Sequence, residues 1–197
     1  MDTSLIEVEY DELEKKHLII ENWIKMLLNR KWIIGDLNEY LEYAKNKLND
    51  YDITSIKYQD KKYVIKLVLR KLNTIKNVDD IEDFINKYKK IYKFFVMSCA
   101  PTKVHKQLLE YESTEVFNDE ELIINVVDNV LVPEHILLSD DDAKQYMKEY
   151  KLTKINLMKI LSTDPIARYY NIKPGNIVKI IRPSITAGEE IGLRICV

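Results

Sequence analysis

The histidines, cysteines and glycines of this chain of 197 residues do not have the sequence spacings that are typical of catalytic, metal-binding or phosphate-binding sites. The three histidines match no metal-ligand spacing, which favours surface or capping roles for His17, His105 and His135. The cysteines Cys99 and Cys196 lie far apart, which favours buried free thiols over a disulfide scaffold. The glycines are scattered singly, so no phosphate-binding loop is predicted. We therefore predict no catalytic residue, cofactor or metal ion.

Two charged clusters could imitate a metal site. Asp60-Lys61-Lys62 is similar to the Asp-x-Lys end of a metal-dependent nuclease site, but no acidic partner in a suitable context precedes it. A charged hairpin tip is the simpler interpretation of this triplet. Asp140-Asp141-Asp142 is explained by the helix dipole, because successive residues of a helix point to different sides. A nuclease remains a minor alternative.

The elements that must position these residues follow from hydrophobic periodicity. In the first two thirds, apolar spacing predicts helices over residues 13–31, 37–48, 78–88 and 101–109, with a helical turn from residue 119. Runs of β-branched and aromatic residues predict strands over 53–58, 63–69, 91–97 and 115–117. Strands that alternate with helices indicate a small α/β sheet domain over residues 1–129. A second, α+β domain then follows over residues 130–197, with the boundary marked by Pro133.

The last third of the chain is dense in local signals. Asp164-Pro165 predicts a helix start, because the Asp side chain can cap amide groups and Pro has its φ preset for the first helical position. Ser139 predicts another helix start, immediately before Asp140. Lys173-Pro174-Gly175-Asn176 predicts a turn with positive φ at Gly175, and we expect positive φ at Gly188 as well. Strands are expected near 157–161, over 176–182 with an end at Pro183, and over 191–197.

These signals follow the order and spacing of a known family. The string resembles the C-terminal domain of the fifth subunit shared by nuclear RNA polymerases, whose archaeal counterpart has only this C-terminal part. The resemblance is carried by Val132-Pro133-Glu134-His135, Asp164-Pro165, Ala167-Arg168-Tyr169-Tyr170, Lys173-x-Gly175, Val178-Lys179-Ile180-Ile181-Arg182-Pro183-Ser184 and Thr186-Ala187-Gly188. It extends more faintly through residues 121–125 and 23–32, which implies the long, two-domain eukaryote-like form.

The resemblance implies a non-catalytic subunit of a DNA-dependent RNA polymerase, with the polymerase reaction left to the large subunits. It implies that the C-terminal domain docks on the largest subunit and that the N-terminal domain forms part of the jaw near downstream duplex DNA. An aromatic and arginine-rich surface would suit the subunit contact, although each basic residue alone is equally typical of a solvated rim. The expected interface residues are Pro133, His135, Asp164, Pro165, Arg168, Tyr169, Tyr170, Lys179, Arg182 and Arg194.

A local excess of positive charge lies within the N-terminal domain. The net charge is −2, but residues 57–93 hold eleven bases against five acids, which suits either ordinary solvation or a DNA-facing role. Where the family has a Thr-Pro-Ser-Ala turn beside DNA, this chain has Ala100-Pro101-Thr102-Lys103, so detailed contacts do not carry over. The residues expected to face DNA are Lys61, Lys62, Lys89, Lys90, Pro101, Thr102 and Lys103.

Other functions remain open from the residues alone. A free nucleic-acid-binding transcription regulator is the main alternative to a polymerase subunit, and a nuclease is the lesser one. No signal peptide or run of transmembrane length is indicated, so we expect an intracellular protein without a membrane partner. The expected location is the nucleus for a cellular protein, and a cytoplasmic factory or the virion for a viral one. Richness in Lys, Asn, Ile and Tyr suggests an AT-rich genome, which would fit a large DNA virus.

Overall fold

The chain folds into two compact units, each with its own sheet. The computed structural model describes residues 10–48, 52–70, 78–98, 101–184, 186 and 188–197. The units are Met1–Ile124 and Asn125–Val197, and each contains a four-stranded sheet. The predicted α+β class with two domains is therefore confirmed. The contacts assign residues 125–129 to the second unit, whereas the sequence assigned them to the first. Within the described residues, no helix is both long and apolar enough to cross a membrane.

The first unit is an α/β sheet with three parallel strands. Its helices are α1 (Glu12–Asn29), α2 (Leu37–Asn46), α3 (Asp79–Lys87), α4 (Thr102–Leu109) and α5 (Asp119–Ile123). Its strands are β1 (Ile53–Tyr58), β2 (Lys61–Val68), β3 (Tyr92–Met97) and β4 (Thr114–Asn118). They lie in the order β1-β2-β3-β4, with β1 antiparallel to β2 and the other pairs parallel. Each helix and strand predicted for this unit is present. Cys99 and Ala100 lie outside the described residues.

Local capping and burial explain these elements. The Asp11 carboxylate accepts a hydrogen bond from the Glu12 amide at 2.8 Å, and Asp36 caps α2 as predicted. Trp23 on α1 is fully buried, and its ring meets the ring of Phe94 on β3 edge-on at 5.7 Å. The neighbouring Phe95 points to the other side of the sheet, where apolar residues of α3 and α4 pack. The sheet is thus covered on both faces, as buried parallel strands require.

The second unit is a four-stranded sheet between two helices. It contains a 3₁₀ turn (Val126–Asp128), β5 (Glu134–Leu137), α6 (Asp140–Glu149), β6 (Met158–Ile160), α7 (Pro165–Tyr169), β7 (Ile177–Ser184) and β8 (Gly188–Cys196). The strand order is β5-β7-β8-β6. Ala167 of α7 packs with Val178 and Ile180, whereas Ala143 of α6 packs with Ile177 and Leu193. Because alternate strand residues point to opposite faces, α7 and α6 cover opposite faces of this sheet.

Two predictions for this unit need correction. Neither β5 nor the 3₁₀ turn was predicted, because both are short and depend on their neighbours. The strand was expected to end at Pro183, but β7 continues through it, and Pro183 pairs in register with Glu189 of β8. On its other side, β7 pairs with β5 only as far as Ile181, so within the described residues no strand pairs with Pro183 on that side. A proline can occupy such an edge position.

Candidate subunit and nucleic-acid interfaces

Helix α7 begins and ends as its local sequence predicts. The Asp164 carboxylate accepts a hydrogen bond from the Ile166 amide at 2.9 Å, and Pro165 takes the first helical position. The helix ends at a left-handed residue, Asn171, with φ of 53°. The Ile172 amide then donates to the Ala167 carbonyl at 2.8 Å, which closes a Schellman motif. These contacts fix the positions of the three residues that α7 shares with the predicted interface, Pro165, Arg168 and Tyr169.

The strand register brings several predicted interface residues to one sheet face. His135 pairs with Ile180, Arg194 pairs with Val178, and Arg182 lies two residues beyond Ile180. Cross-strand partners and alternate residues share a face, so these side chains lie on the face that α7 covers. Arg182 is exposed, and Arg194 is half-buried. His135, Arg182 and Arg194, which are far apart in the sequence, therefore lie on one face of the sheet.

His135 is the central titratable group of this face. Its Nδ1 atom lies 2.7 Å from the Pro133 carbonyl oxygen. Burial lowers the pKa of His135, and the charges of Arg194 and Arg182 lower it further. The bond to Pro133 and the charge of Asp164 oppose this shift without cancelling it. His135 is thus held toward its neutral form between a carboxylate and two arginines.

Two predicted interface residues lie elsewhere. Tyr169 is only 6% exposed, so little of its side chain reaches the surface of the unit, and its ring packs edge-on against Tyr170. Lys179 lies on the face that α6 covers, where its Nζ atom donates to the Tyr146 hydroxyl at 3.0 Å. That hydrogen bond raises the pKa of Lys179. Side-chain alternation along β7 separates Lys179 from Arg182, which the sequence had grouped together.

Tyr170 joins α7 to the start of the second unit. Its side chain is half-buried and packs beside the cluster around Ala167. Burial raises the pKa of the Tyr170 hydroxyl, and the nearby carboxylates of Glu134 and Asp128 raise it further. Asp128 ends the 3₁₀ turn, which also contacts α7. The 3₁₀ turn is therefore linked to α7 both by contact and by the charge of Asp128.

In the first unit, the residues expected to face DNA lie at two opposite edges of the sheet. Lys61 begins β2, and Lys89 and Lys90 lie in the turn shortly before β3. Pro101 and Lys103 follow β3 at its carboxyl end, where α4 begins at Thr102. The strands β2 and β3 are parallel, so these two groups are separated by the length of β3, roughly 20 Å. Lys61, Lys89, Lys90, Pro101, Thr102 and Lys103 are all exposed, and Lys62 is half-buried.

Two lysines that contributed to the predicted basic region are buried. The side chains of Lys66 and Lys93 are about 1% exposed. Lys66 pairs with Asp80 at 2.6 Å. The three N–H groups of the Lys93 ammonium are shared among four backbone carbonyls, with Nζ to oxygen distances of 3.0 Å to Glu112, 3.1 Å to Ile91, 3.3 Å to Tyr88 and 3.4 Å to Lys89. These lysines stabilise the fold and are not available to DNA; Lys71 and Lys76 lie outside the described residues.

Lys93 organises the loop that carries two of the exposed lysines. Its four acceptors belong to the turn before β3 and to the segment before β4, so its ammonium group holds the Lys89–Lys90 turn in place. Burial lowers the pKa of Lys93, and the charge of Glu112 opposes this shift. A single lysine between apolar strand residues carries no sequence signal for this role.

Asp60 lies at the tip of the β1-β2 hairpin, next to Gln59, which has a φ of 52°. The hairpin interpretation of Asp60-Lys61-Lys62 is therefore confirmed. Among the described residues, no group of three or more histidine, cysteine or acidic side chains is arranged to hold a metal ion. The Asp140-Asp141-Asp142 run forms the first turn of α6, where the Ser139 hydroxyl accepts from the Asp142 amide at 3.2 Å.

Comparisons with known proteins match both units. Residues 124–196 match the sequence model of the family described as RNA polymerase Rpb5, C-terminal domain. Over 98% of both chains, the protein is 29% identical to DNA-directed RNA polymerase subunit 5 of Acanthamoeba polyphaga mimivirus. It is also 45% identical over 83 residues, 42% of each chain, to the subunit rpabc1 of DNA-directed RNA polymerases I, II and III of Dictyostelium discoideum. The corresponding Caenorhabditis elegans subunit is 41% identical over 83 residues, which are 42% of this chain and 39% of that one.

Residues 124–196, which make up nearly all of the second unit, are thus similar to RNA polymerase Rpb5 C-terminal domains, and this match confirms the resemblance carried by the motifs of that unit. The similarity to the mimivirus subunit 5 extends through the first unit as well.

Proposed function

We propose that this chain is a non-catalytic subunit of a DNA-dependent RNA polymerase. The observation that carries the proposal is the family match over residues 124–196, joined to an alignment with a viral subunit 5 that covers 98% of both chains. The second unit anchors the chain to the largest subunit, and the first forms part of the jaw at downstream DNA. The similarity to the mimivirus protein also favours a large DNA virus as the source, with a viral factory or the virion as the location.

The anchoring surface is proposed to be the α7 face of the second sheet. Arg182 is exposed there, and Arg194, His135 and Arg168 lie on or beside this face. Arginines at interfaces combine planar hydrogen bonding with apolar packing, which makes them frequent sources of binding energy. Lys179, on the opposite face, is proposed to act within the unit through Tyr146.

Co-purification of the tagged full chain tests the anchoring role. We expect the chain to recover the largest subunit, and the double variant Arg168→Ala/Arg182→Ala to weaken that recovery by about tenfold or more. The matched control is Lys144→Ala/Lys148→Ala, which removes two positive charges from α6 on the other face. Circular dichroism checks that both variants remain folded. Loss of assembly in the α6 variant alone would invert the roles of the two faces.

We propose that the first unit touches DNA by charge and only within the assembled enzyme. The net charge of −2 gives the free chain little long-range attraction for DNA. We expect no strong or sequence-specific binding of duplex DNA by the isolated chain near physiological salt. Tight, sequence-selective binding would instead support a free transcription regulator. Magnesium-dependent cleavage that is lost in Asp60→Ala would support a nuclease.

The two edges of the first sheet can be compared directly in the assembled polymerase. Lys61→Glu/Lys62→Glu and Lys89→Glu/Lys90→Glu reverse charge at the amino ends of β2 and β3, whereas Lys103→Glu does so at the other edge. DNA retention is measured as a function of salt, and the slope is taken from a plot of log retention against log salt concentration. If the lysines at one edge contact phosphates, the variant at that edge should have a slope smaller by about one unit for each lost contact. Promoter choice should not change. An unchanged salt slope in all three variants would refute the DNA-facing role.

A further inference from the structure

A cleft of about 600 Å³ lies beside the lysines at the amino ends of β2 and β3. Lys61 and Lys90 line it as exposed residues, whereas Trp32, Ile91 and Tyr92 are half-buried and form its floor. This volume is typical of sites that hold a small molecule or a few side chains. A DNA duplex is too wide to enter it. Contact between these lysines and duplex DNA therefore does not explain why the floor of the cleft is apolar.

The floor is held rigid by a buried ionic network. The Arg30 guanidinium donates two hydrogen bonds to the Glu115 carboxylate, each 2.8 Å long, and Glu115 also accepts from the Tyr92 hydroxyl at 2.8 Å. The Arg30 Cζ atom lies 4.7 Å from the centre of the Trp32 ring. That ring stacks on Tyr63 with centroids 5.6 Å apart. Such a preformed surface loses little freedom when a ligand binds.

Three lysines make the rim of the cleft positive. Among the ion pairs of the described residues, none engages Lys61, Lys62 or Lys90, although Lys62 lies 5.4 Å from the centre of the Tyr88 ring. Asp60 contributes one opposing charge to the lining. The rim is therefore complementary to a ligand that carries several negative charges.

The floor favours a peptide over a nucleic acid as the occupant. Single-stranded nucleic acids bind by stacking bases on free aromatic faces. Here the Trp32 ring already stacks on Tyr63 and lies beneath Arg30, so these contacts use ring surface that a base would need. The Tyr92 hydroxyl already donates its hydrogen bond to Glu115, so it cannot donate to the edge of a base. An apolar side chain needs neither a free ring face nor a hydrogen-bond partner.

We propose that this cleft is a docking site for an acidic peptide segment. An apolar side chain of the segment packs on the exposed parts of Trp32, Ile91 and Tyr92, and the flanking carboxylates of the segment meet Lys61, Lys62 and Lys90. This inference does not rest on the polymerase assignment, because it concerns a site contained within the first unit.

The test uses the full chain and a short synthetic peptide in which Asp and Glu residues flank a central Phe and Leu. Binding is followed by anisotropy of a dye on the peptide. Tryptophan fluorescence gives a second readout, because Trp32 lines the cleft whereas Trp23 is fully buried. We expect saturable binding that weakens with salt. It should be lost when the acids become Asn and Gln, or when Phe and Leu become Ser.

Variants of the protein locate the site. Lys61→Ala/Lys90→Ala should weaken binding about fivefold to tenfold, because two exposed charge pairs are lost. Lys45→Ala/Lys106→Ala is the matched control, with two exposed lysines removed from α2 and α4, and should bind as the native chain does. The proposal is overturned if the native chain does not bind the peptide or if both variants bind equally. Displacement of the peptide by a tighter-binding single-stranded oligonucleotide would assign the cleft to nucleic acid instead.

Discussion

Gly175 offers a stability test in which backbone conformation can be separated from packing. It has a φ of 91° in the turn before β7, where its amide donates to the Cys196 carbonyl at 2.9 Å. A Cβ atom added at Gly175 would meet no heavy atom within 4 Å. The same is true of Gly192 in the middle of β8, which lacks a positive φ. Alanine at the two positions therefore differs mainly in backbone strain.

The expected difference in stability between Gly175→Ala and Gly192→Ala can be worked out from two contributions. Alanine in the left-handed region costs about 1–2 kcal/mol, whereas the loss of glycine's freedom in the unfolded chain stabilises both variants by about 0.4–1 kcal/mol. The second contribution cancels in the comparison. We expect Gly175→Ala to be less stable than Gly192→Ala by about 1–2 kcal/mol, which corresponds to at least about 4 °C in Tm for a domain of this size. A β-branched valine at Gly175 or Gly188 should destabilise the unit by roughly 1–3 kcal/mol.

Thermal and urea unfolding of the full chain, followed by circular dichroism, would measure the difference. Both tryptophans, Trp23 and Trp32, belong to the first unit, so tryptophan fluorescence reports on that unit directly. Hydrogen exchange of peptides from residues 125–197 reports on the second. Equal stabilities of Gly175→Ala and Gly192→Ala would refute the argument that positive φ sets the cost. So would a larger loss in Gly192→Ala.

Three further predictions concern both units. The pKa of His135 is lowered from 6.5 in the folded state, so the unfolded state binds more protons as the pH falls below about 6.5, and the free energy of unfolding decreases there. Urea titrations at several pH values should show this decrease in the native chain and not in His135→Asn. The fragment Asn125–Val197 should unfold cooperatively, whereas a fragment that starts at Leu131 should be less stable, because it lacks the 3₁₀ turn that contacts α7. Identical midpoints of thermal unfolding for the two fragments would contradict this prediction. Lys93→Met should destabilise the first unit by about 1–3 kcal/mol, because four carbonyls lose their donor, whereas the exposed control Lys106→Met should unfold like the native chain.

Much of the fold could be predicted because its signals are local. Asp36 and Asp164 are followed by helices because a carboxylate can satisfy amides only two or three residues away. Gly175 and Gly188 have the positive φ that their turns require. Hydrophobic periodicity placed most helices and strands, since it reports which side of each element is buried. The family motifs of the second unit also depend on residue order alone.

Only the tertiary structure decided which of these residues come together. The parallel pairing of β2 with β3 places Lys61 and Lys103 at opposite edges, although the sequence grouped them as one DNA-facing set. The packing of α6 and α7 decides which helix covers each face of β7, so Lys179 meets Tyr146 of α6 whereas Arg182 lies on the α7 face. The carbonyl acceptors around Lys93 are completed by Glu112, which lies 19 residues further along the chain. Periodicity indicates which side of an element is buried, but it does not name the partner strand or helix, because that choice depends on contacts between segments far apart along the chain.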